Sequence, residues 1–148
     1  MDSERKVSVI TIKILVCAPL ERVWLYWNEP EHIKKWSFAS EDWHTTASQN
    51  DLKVGGRFLS RMEAKDGSFG FDFSGTYTEV KEFKEISYTL DDNRKVSIYF
   101  SRIGNNTEVM ESFEAEATNS LELQKQGWQA ILNHFKQYVE KEMSTPII

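Results

Sequence analysis

Few side chains in this sequence are placed for chemistry, and the most unusual is a glutamate. In the run Val109-Met110-Glu111-Ser112-Phe113, strand alternation puts Glu111 on the same face as Val109 and Phe113. A carboxylate on an apolar face is costly unless it is paired or solvated. Two arrangements satisfy that condition. In one, Glu111 faces an internal cavity and supplies a hydrogen-bond acceptor, or an acid/base once burial has raised its pKa. In the other it is structural, turned outward by a bulge or paired with Arg102, which shares the inward phase of its own strand. Tyr77, Tyr88 and Ser60 are milder cases, hydroxyls on apolar faces that orient a ligand or simply reach solvent at their tips. Trp36, Phe38 and Trp43, with His44 beside them, form either a lid over a cavity or a seal at one end of a core.

Other chemistries lack their residues. His32, His44 and His134 are far apart, there is no HExxH spacing, and Cys17 is the only cysteine, so neither a metal site nor a cofactor is expected. No GxSxG elbow is present, and no Ser-His-Asp set assembles from local spacing. Gly55-Gly56 precedes Arg57-Phe58 without a following helix, which suits a tight turn and not a phosphate loop. No catalytic residue is therefore assigned, and Glu111 with one tyrosine would take that role only if the protein is an enzyme.

The elements that must position these residues follow from hydrophobic period. Val7 to Ala18 alternates as a strand with Ile10, Ile12, Ile14 and Val16 on the core face. Pro19 suits a first helical turn, and Leu20, Val23, Trp24 and Trp27 recur at helical spacing; Pro30 breaks that helix, and a second short one carries Ile33 and Trp36. From Glu41 to Ala117 the period is two, with turns at Asp51, Gly55-Gly56, Asp66-Gly67, Asp91-Asp92-Asn93 and Gly104-Asn105-Asn106. The inward phase reads Phe58, Met62 and Ala64; Phe69, Phe71, Phe73 and Tyr77; Ile86, Tyr88 and Leu90; Val96, Ile98 and Phe100; then Val109, Phe113, Ala115 and Ala117. Asn119 with Glu122 reads as a cap, and Leu121, Trp128, Ile131, Leu132, Phe135 and Val139 stripe a helix to about Glu142. Gly127 interrupts that helix, for close approach to the sheet or to widen a cavity. The predicted architecture is α+β, in the order β-αα-β6-α, with a curved antiparallel sheet of about seven strands wrapped on a long C-terminal helix.

Composition bounds the remaining choices. The 148 residues, with 19 aromatics among them, read as a single domain over 1–148, frayed at 1–5 and 144–148, that needs no disulfide to hold a core. A net charge of −5 divides as ten basic against eleven acidic residues in 1–74 and eight against twelve in 75–148, which argues against nucleic acid as a partner. No apolar run is membrane-long, the Met1 to Lys6 start is polar, and the lone Cys17 suits a reducing compartment, so a cytoplasmic protein is expected.

Three blocks carry a family resemblance: Ala18-Pro19-Leu20-Glu21-Arg22-Val23-Trp24 through Pro30-Glu31-His32-Ile33-Lys34-Lys35-Trp36, then Asp51-Leu52-Lys53-Val54-Gly55-Gly56-Arg57-Phe58, then Gly127-Trp128-Gln129-Ala130-Ile131-Leu132. In order and spacing the chain resembles the activator-of-Hsp90-ATPase-homologue-1-like proteins of the START-like (SRPBCC) superfamily. The resemblance implies a helix-grip fold with a deep cavity between sheet and last helix, in a superfamily that includes small-ligand binders, polyketide cyclase-like proteins, resistance proteins and co-chaperones. A shared fold does not select among these. The expected ligand is a small apolar or aromatic molecule, lipid-like or polyketide-like. Its expected contacts are Phe58, Met62, Phe71, Phe73, Tyr77, Tyr88, Phe100 and Glu111 from the sheet. Trp128, Leu132 and Phe135 come from the helix, and Trp36, Phe38 and Trp43 from the lid region. The rivals are a cyclase- or aromatase-like enzyme using Glu111, and a sealed-core module that contacts an Hsp90-like chaperone.

Overall fold

The computed structural model describes residues 7–144. The expected frayed ends lie outside them, apart from Ser144, which closes the last helix. The chain runs β1 (Val9–Val16), α1 (Leu20–Asn28), α2 (Pro30–Trp36), β2 (Trp43–Asn50), β3 (Arg57–Ala64), β4 (Gly70–Lys81), β5 (Glu85–Leu90), β6 (Lys95–Ile103), β7 (Asn106–Glu114) and α3 (Leu121–Ser144). The seven strands form one antiparallel sheet in the order β1-β7-β6-β5-β4-β3-β2, so the first strand closes the meander from its far side. Register shifts between Thr45 and Ala47 and between Tyr77 and Glu79 are bulges, which bend and twist the strands that contain them. This is the helix-grip α+β architecture.

Helix boundaries follow the proline signals. Pro19 precedes α1 in extended conformation, and Pro30 opens α2 immediately after Glu29, whose extended backbone separates the two helices. The cap of α3 differs from expectation. Ser120, not Asn119, caps the helix, its Oγ accepting from the Leu123 amide at 3.1 Å. Asn119 is instead held by Glu116, whose carboxylate accepts from the Asn119 and Thr118 amides at 2.6 and 2.7 Å. Leu121 lies off the buried stripe and is half exposed.

The interior has two unlike halves. Leu132, Phe135 and Val139 on the C-terminal half of α3 are wholly buried, together with Val16, Val23, Val109 and Phe113. Around Phe135 the rings of Trp27 and Trp36 each approach to 4.8 Å, and Trp24 meets Phe100 at 5.1 Å, all at tilted or edge-on geometry. Polar ties fix this half: Lys136 donates to the Leu15 carbonyl at 2.8 Å, Glu140 accepts from the Cys17 amide at 2.7 Å, and His32 meets the Tyr138 hydroxyl at 2.6 Å. The N-terminal half of α3, toward β2 to β5, is not packed in this way and spans open space.

The outward face of the sheet is polar, as its alternation predicts. Arg57 makes a paired contact with Asp91 at 2.9 Å, and Arg61 pairs with Glu63 and Asp72. Arg102 stands at the exposed end of β6, beside α1. It binds Glu21 at 2.8 Å and does not pair with Glu111, because the register sets it opposite Thr107 while Glu111 lies opposite Ile98. Among the described residues no helix is long and apolar enough to cross a membrane.

Candidate functional site

A cavity of about 370 Å³ lies between β2 to β5, the end of β7 and the N-terminal half of α3. Its sheet wall is built by register. Phe58, Ser60 and Met62 of β3 stand on the same face, opposite Gly75, Phe73 and Phe71 of β4, and Tyr77 faces Tyr88 of β5. Phe58 is the hub, with Tyr88 at 4.6 Å, Tyr77 at 5.3 Å and Phe73 at 5.8 Å between ring centroids. The helix wall is Gly127, Trp128 and Ile131, with Trp128 stacked flat on Phe113 at 3.9 Å. A Cβ built on Gly127 meets nothing within 4 Å, so the missing side chain leaves room in the cavity and is not required by close approach to the sheet. Gly56 has no room for a side chain, since an added Cβ would run into the Asp51 carbonyl, while Gly55 takes a φ of 85°. That turn donates from the Gly55 amide to the Tyr77 carbonyl and so braces the cavity wall.

Most polar atoms in the lining already have protein partners. Tyr77 donates to Asn50 at 2.5 Å, the Asn50 amide donates to the Asn28 carbonyl at 2.8 Å, and Asn28 donates to the Trp24 carbonyl at 2.9 Å. Ser60 and Ser48 share a hydrogen bond at 3.2 Å, and Gln124 accepts from the Glu116 amide at 2.8 Å while donating to the Asn119 carbonyl at 2.8 Å. Burial raises the Tyr77 phenol above its ordinary range.

Glu111, the Tyr88 hydroxyl and the Ser37 hydroxyl are exceptions. Glu111 lines the cavity, is 6% exposed, and among the described residues neither a hydrogen-bond donor nor a cation engages it, so its oxygens open onto the cavity. Its strand neighbours are Ile12 on β1 and Ile98 on β6, so nothing beside it offsets the loss of water. Desolvation alone pushes its pKa from 4.5 to about 8, which leaves the carboxyl largely protonated at neutral pH. Tyr88 lines the same space, 8% exposed, with its phenol raised first by burial and then by the proximity of Glu111. The Tyr77 and Tyr88 tips thus end inside the protein and not in solvent.

Of the residues named from the sequence, Trp36, Phe58, Met62, Phe71 and Phe73 line the cavity, as do Tyr77, Tyr88, Glu111 and Trp128. Phe100, Leu132 and Phe135 do not; they fill the packed half. Phe38 is a seal and not a lid, stacked on the His134 ring at 4.3 Å while its carbonyl meets His134 at 2.6 Å. Trp43 sits at the sheet edge against Phe69 and Phe71. Phe69, expected in the inward phase, precedes β4 and is 64% exposed; Phe71, 41% exposed, stands with Leu123 at the mouth. The sequence reading missed Asn28, Asn50 and Gln124. Gln124 was detectable, one helical turn before Trp128 on the buried stripe, whereas β2 is too uniformly polar to announce a phase. No group of three or more His, Cys, Asp or Glu among the described residues is arranged to hold a metal ion.

Comparison with known proteins agrees with this geometry. Residues 17–140 match the family described as Activator of Hsp90 ATPase homolog 1-like protein. The solution structure of an AHSA1-like protein from Aeromonas hydrophila is similar, with 44% identity, a TM-score of 0.84, and coverage of 94% of this chain and 98% of that one. A Cytophaga hutchinsonii protein has 52% identity and a TM-score of 0.78, covering 94% and 96%. A crystal structure from Chromobacterium violaceum, at 24% identity and a TM-score of 0.81 over 90% and 98%, shares the fold. Among proteins of curated function, none matches this sequence.

Proposed function

We propose that this chain, which belongs to the Activator of Hsp90 ATPase homolog 1-like family, binds a small apolar or aromatic molecule in the cavity between its sheet and α3. The observation that carries the reading is an aromatic-walled space of about 370 Å³ lined by the buried carboxyl of Glu111, which neither a hydrogen-bond donor nor a cation engages among the described residues. Ligand pockets of roughly 300–1,000 Å³ are built this way, with apolar walls that supply affinity and a few polar groups that fix orientation. Burying ligand carbon against Phe58, Phe73 and Trp128 would contribute roughly 25 cal/mol per Å² of apolar surface removed from water. Glu111 and the Tyr88 hydroxyl would orient the ligand, lipid-like and polyketide-like molecules being the candidate classes. The lone free thiol of Cys17 supports a cytoplasmic setting for this role.

The test is saturable binding of a neutral hydrophobic dye such as Nile red by the native protein. One dye per chain is expected, displaced by aromatic or lipid-like competitors and lost in Gly127→Phe, whose ring would occupy the space now open at that position. Absence of saturable binding by the native chain would overturn the reading. If absence is accompanied by capture of an Hsp90-type chaperone and a rise in its ATPase rate, the chain is an interaction module instead. A second reading rests on the carboxyl of Glu111, poised near 8 beside Tyr88, which suits proton transfer of the cyclase kind. Turnover of a polyketide-like substrate, abolished in Glu111→Gln, would establish it.

A further inference from the structure

We infer that the ligand of this cavity carries a protonated amine, held by Glu111 against the surrounding aromatic rings. The inference rests on the ligand-binding reading above and specifies its chemistry. Glu111 is a buried charge-bearing group of the cavity lining that the protein supplies with neither cation nor donor among the described residues, whereas Ser60, Tyr77 and Asn50 of the same lining are already engaged. The faces around it are aromatic: Trp128 stacks on Phe113, two residues along the same strand, Phe73 approaches Trp128 at 6.1 Å, and Tyr88 meets Phe58 at 4.6 Å. Ring faces attract an organic cation through their quadrupoles, most strongly when water is excluded, and a carboxylate completes such a site. An anionic ligand would gain no ion pair from Glu111 and would meet the negative faces of the rings.

The protons can be followed. The ionisable groups that share the lining are Tyr88 on β5, Tyr77 on β4, Arg94 in the turn between β5 and β6, and Glu116 beyond β7. The strands flanking Glu111 present Ile12 and Ile98, and α3 presents Trp128 and the neutral Gln124. Arg94 is engaged by Asp92 at 2.8 Å, and Glu116 by the Thr118 and Asn119 amides, so neither competes for the ligand's charge. The free protein holds the proton of Glu111 at neutral pH. An ammonium arriving there displaces that proton to solvent and leaves a carboxylate–ammonium pair, so one proton leaves for each amine bound. Affinity for the amine therefore rises with pH up to about 8 and then levels, whereas a neutral ligand shows no such slope.

Three compounds of one shape test this with the full-length chain: naphthylmethylamine, naphthylmethanol and naphthoate. Near pH 8, where an alkylammonium persists, calorimetry is expected to show the amine binding about tenfold or more tighter than the alcohol, the range for hydrogen bonds to charged groups. Repeating the titration near neutral pH in buffers of different ionisation enthalpy should show close to one proton released per amine. Glu111→Gln should collapse the amine preference, bringing the affinities of amine and alcohol within a few fold of each other. The proton count is read on the unaltered protein and does not depend on that variant folding. Equal binding of amine and alcohol without proton release, or preference for the naphthoate, overturns the amine assignment and leaves the cavity reading intact. If no compound of the three binds saturably and Nile red also fails, both fall together.

Discussion

Glu111 should make this protein less stable as pH rises, and the size of the effect can be worked out. Its carboxyl is enclosed with no protein partner, and desolvation raises its pKa from 4.5 to about 8. Below about pH 4.5 the group is protonated in both folded and unfolded chains and contributes no pH dependence. Between about 4.5 and 8 the unfolded chain gives up the proton and the folded chain keeps it, so stability falls as pH increases; above 8 the loss is complete. A displacement of about 3.5 pKa units, at about 1.4 kcal/mol each, amounts to on the order of 5 kcal/mol in full and on the order of 3 kcal/mol at pH 7. Glutamine keeps the shape and cannot ionise. Urea unfolding of wild type and Glu111→Gln at a series of pH values, compared pair by pair, cancels every other titrating group. The two are expected to lie close together near pH 5, with the variant pulling ahead by several kcal/mol near pH 8. A gap that stays constant across that range would refute the placement of Glu111 as a desolvated, unpartnered carboxyl.

Two other substitutions separate the packed half from the open half. Gly127→Ala should stabilise the protein by about 1 kcal/mol, since alanine is the better helix former and its methyl meets no atom within 4 Å; a lower urea midpoint would contradict the open space at that position. Phe135→Ala should cost about 3–5 kcal/mol, because that ring is wholly buried among Trp27 and Trp36. Phe73→Ala, on the half-buried cavity wall, should cost less stability but remove most Nile red binding. Equal stability losses at the two positions would argue against the division of the interior.

Period and punctuation made the element order legible, because prolines, glycines and alternation act locally. Pro19 and Pro30 bound the two short helices, and the phase of β5 to β7 is clean because each of those strands faces the core along most of its length. Glu111 stood out for the same reason, as a charge in an unbroken apolar alternation. What alternation could not supply was the distance between facing walls. Phe100 and Phe73 share the inward phase, yet one packs against Trp24 and Trp27 while the other borders empty space, and that difference depends on where α3 approaches the sheet. The Arg102 pairing failed because the register puts Glu111 opposite Ile98, earlier on β6, and the Arg102 side chain meets Glu21 of α1. Phe69 was assigned to a strand that begins one residue later, and the β2 contribution stayed hidden because Trp43 to Asn50 is mostly polar on both faces. The Asn119 cap lost to Ser120 because Glu116 already held the Asn119 amide.

Whether the cavity receives a ligand is tested most directly by amide and indole NMR shifts during titration of the native chain with naphthylmethylamine. A ligand seated between the sheet and α3 should shift the Trp128 indole and the amides of Phe58, Phe73, Tyr88 and Glu111 together and to saturation, while Thr11 and Ser112 on the outward face and Val139 in the packed half stay still. An unchanged spectrum, or shifts confined to the outward face, would contradict a binding cavity in this protein.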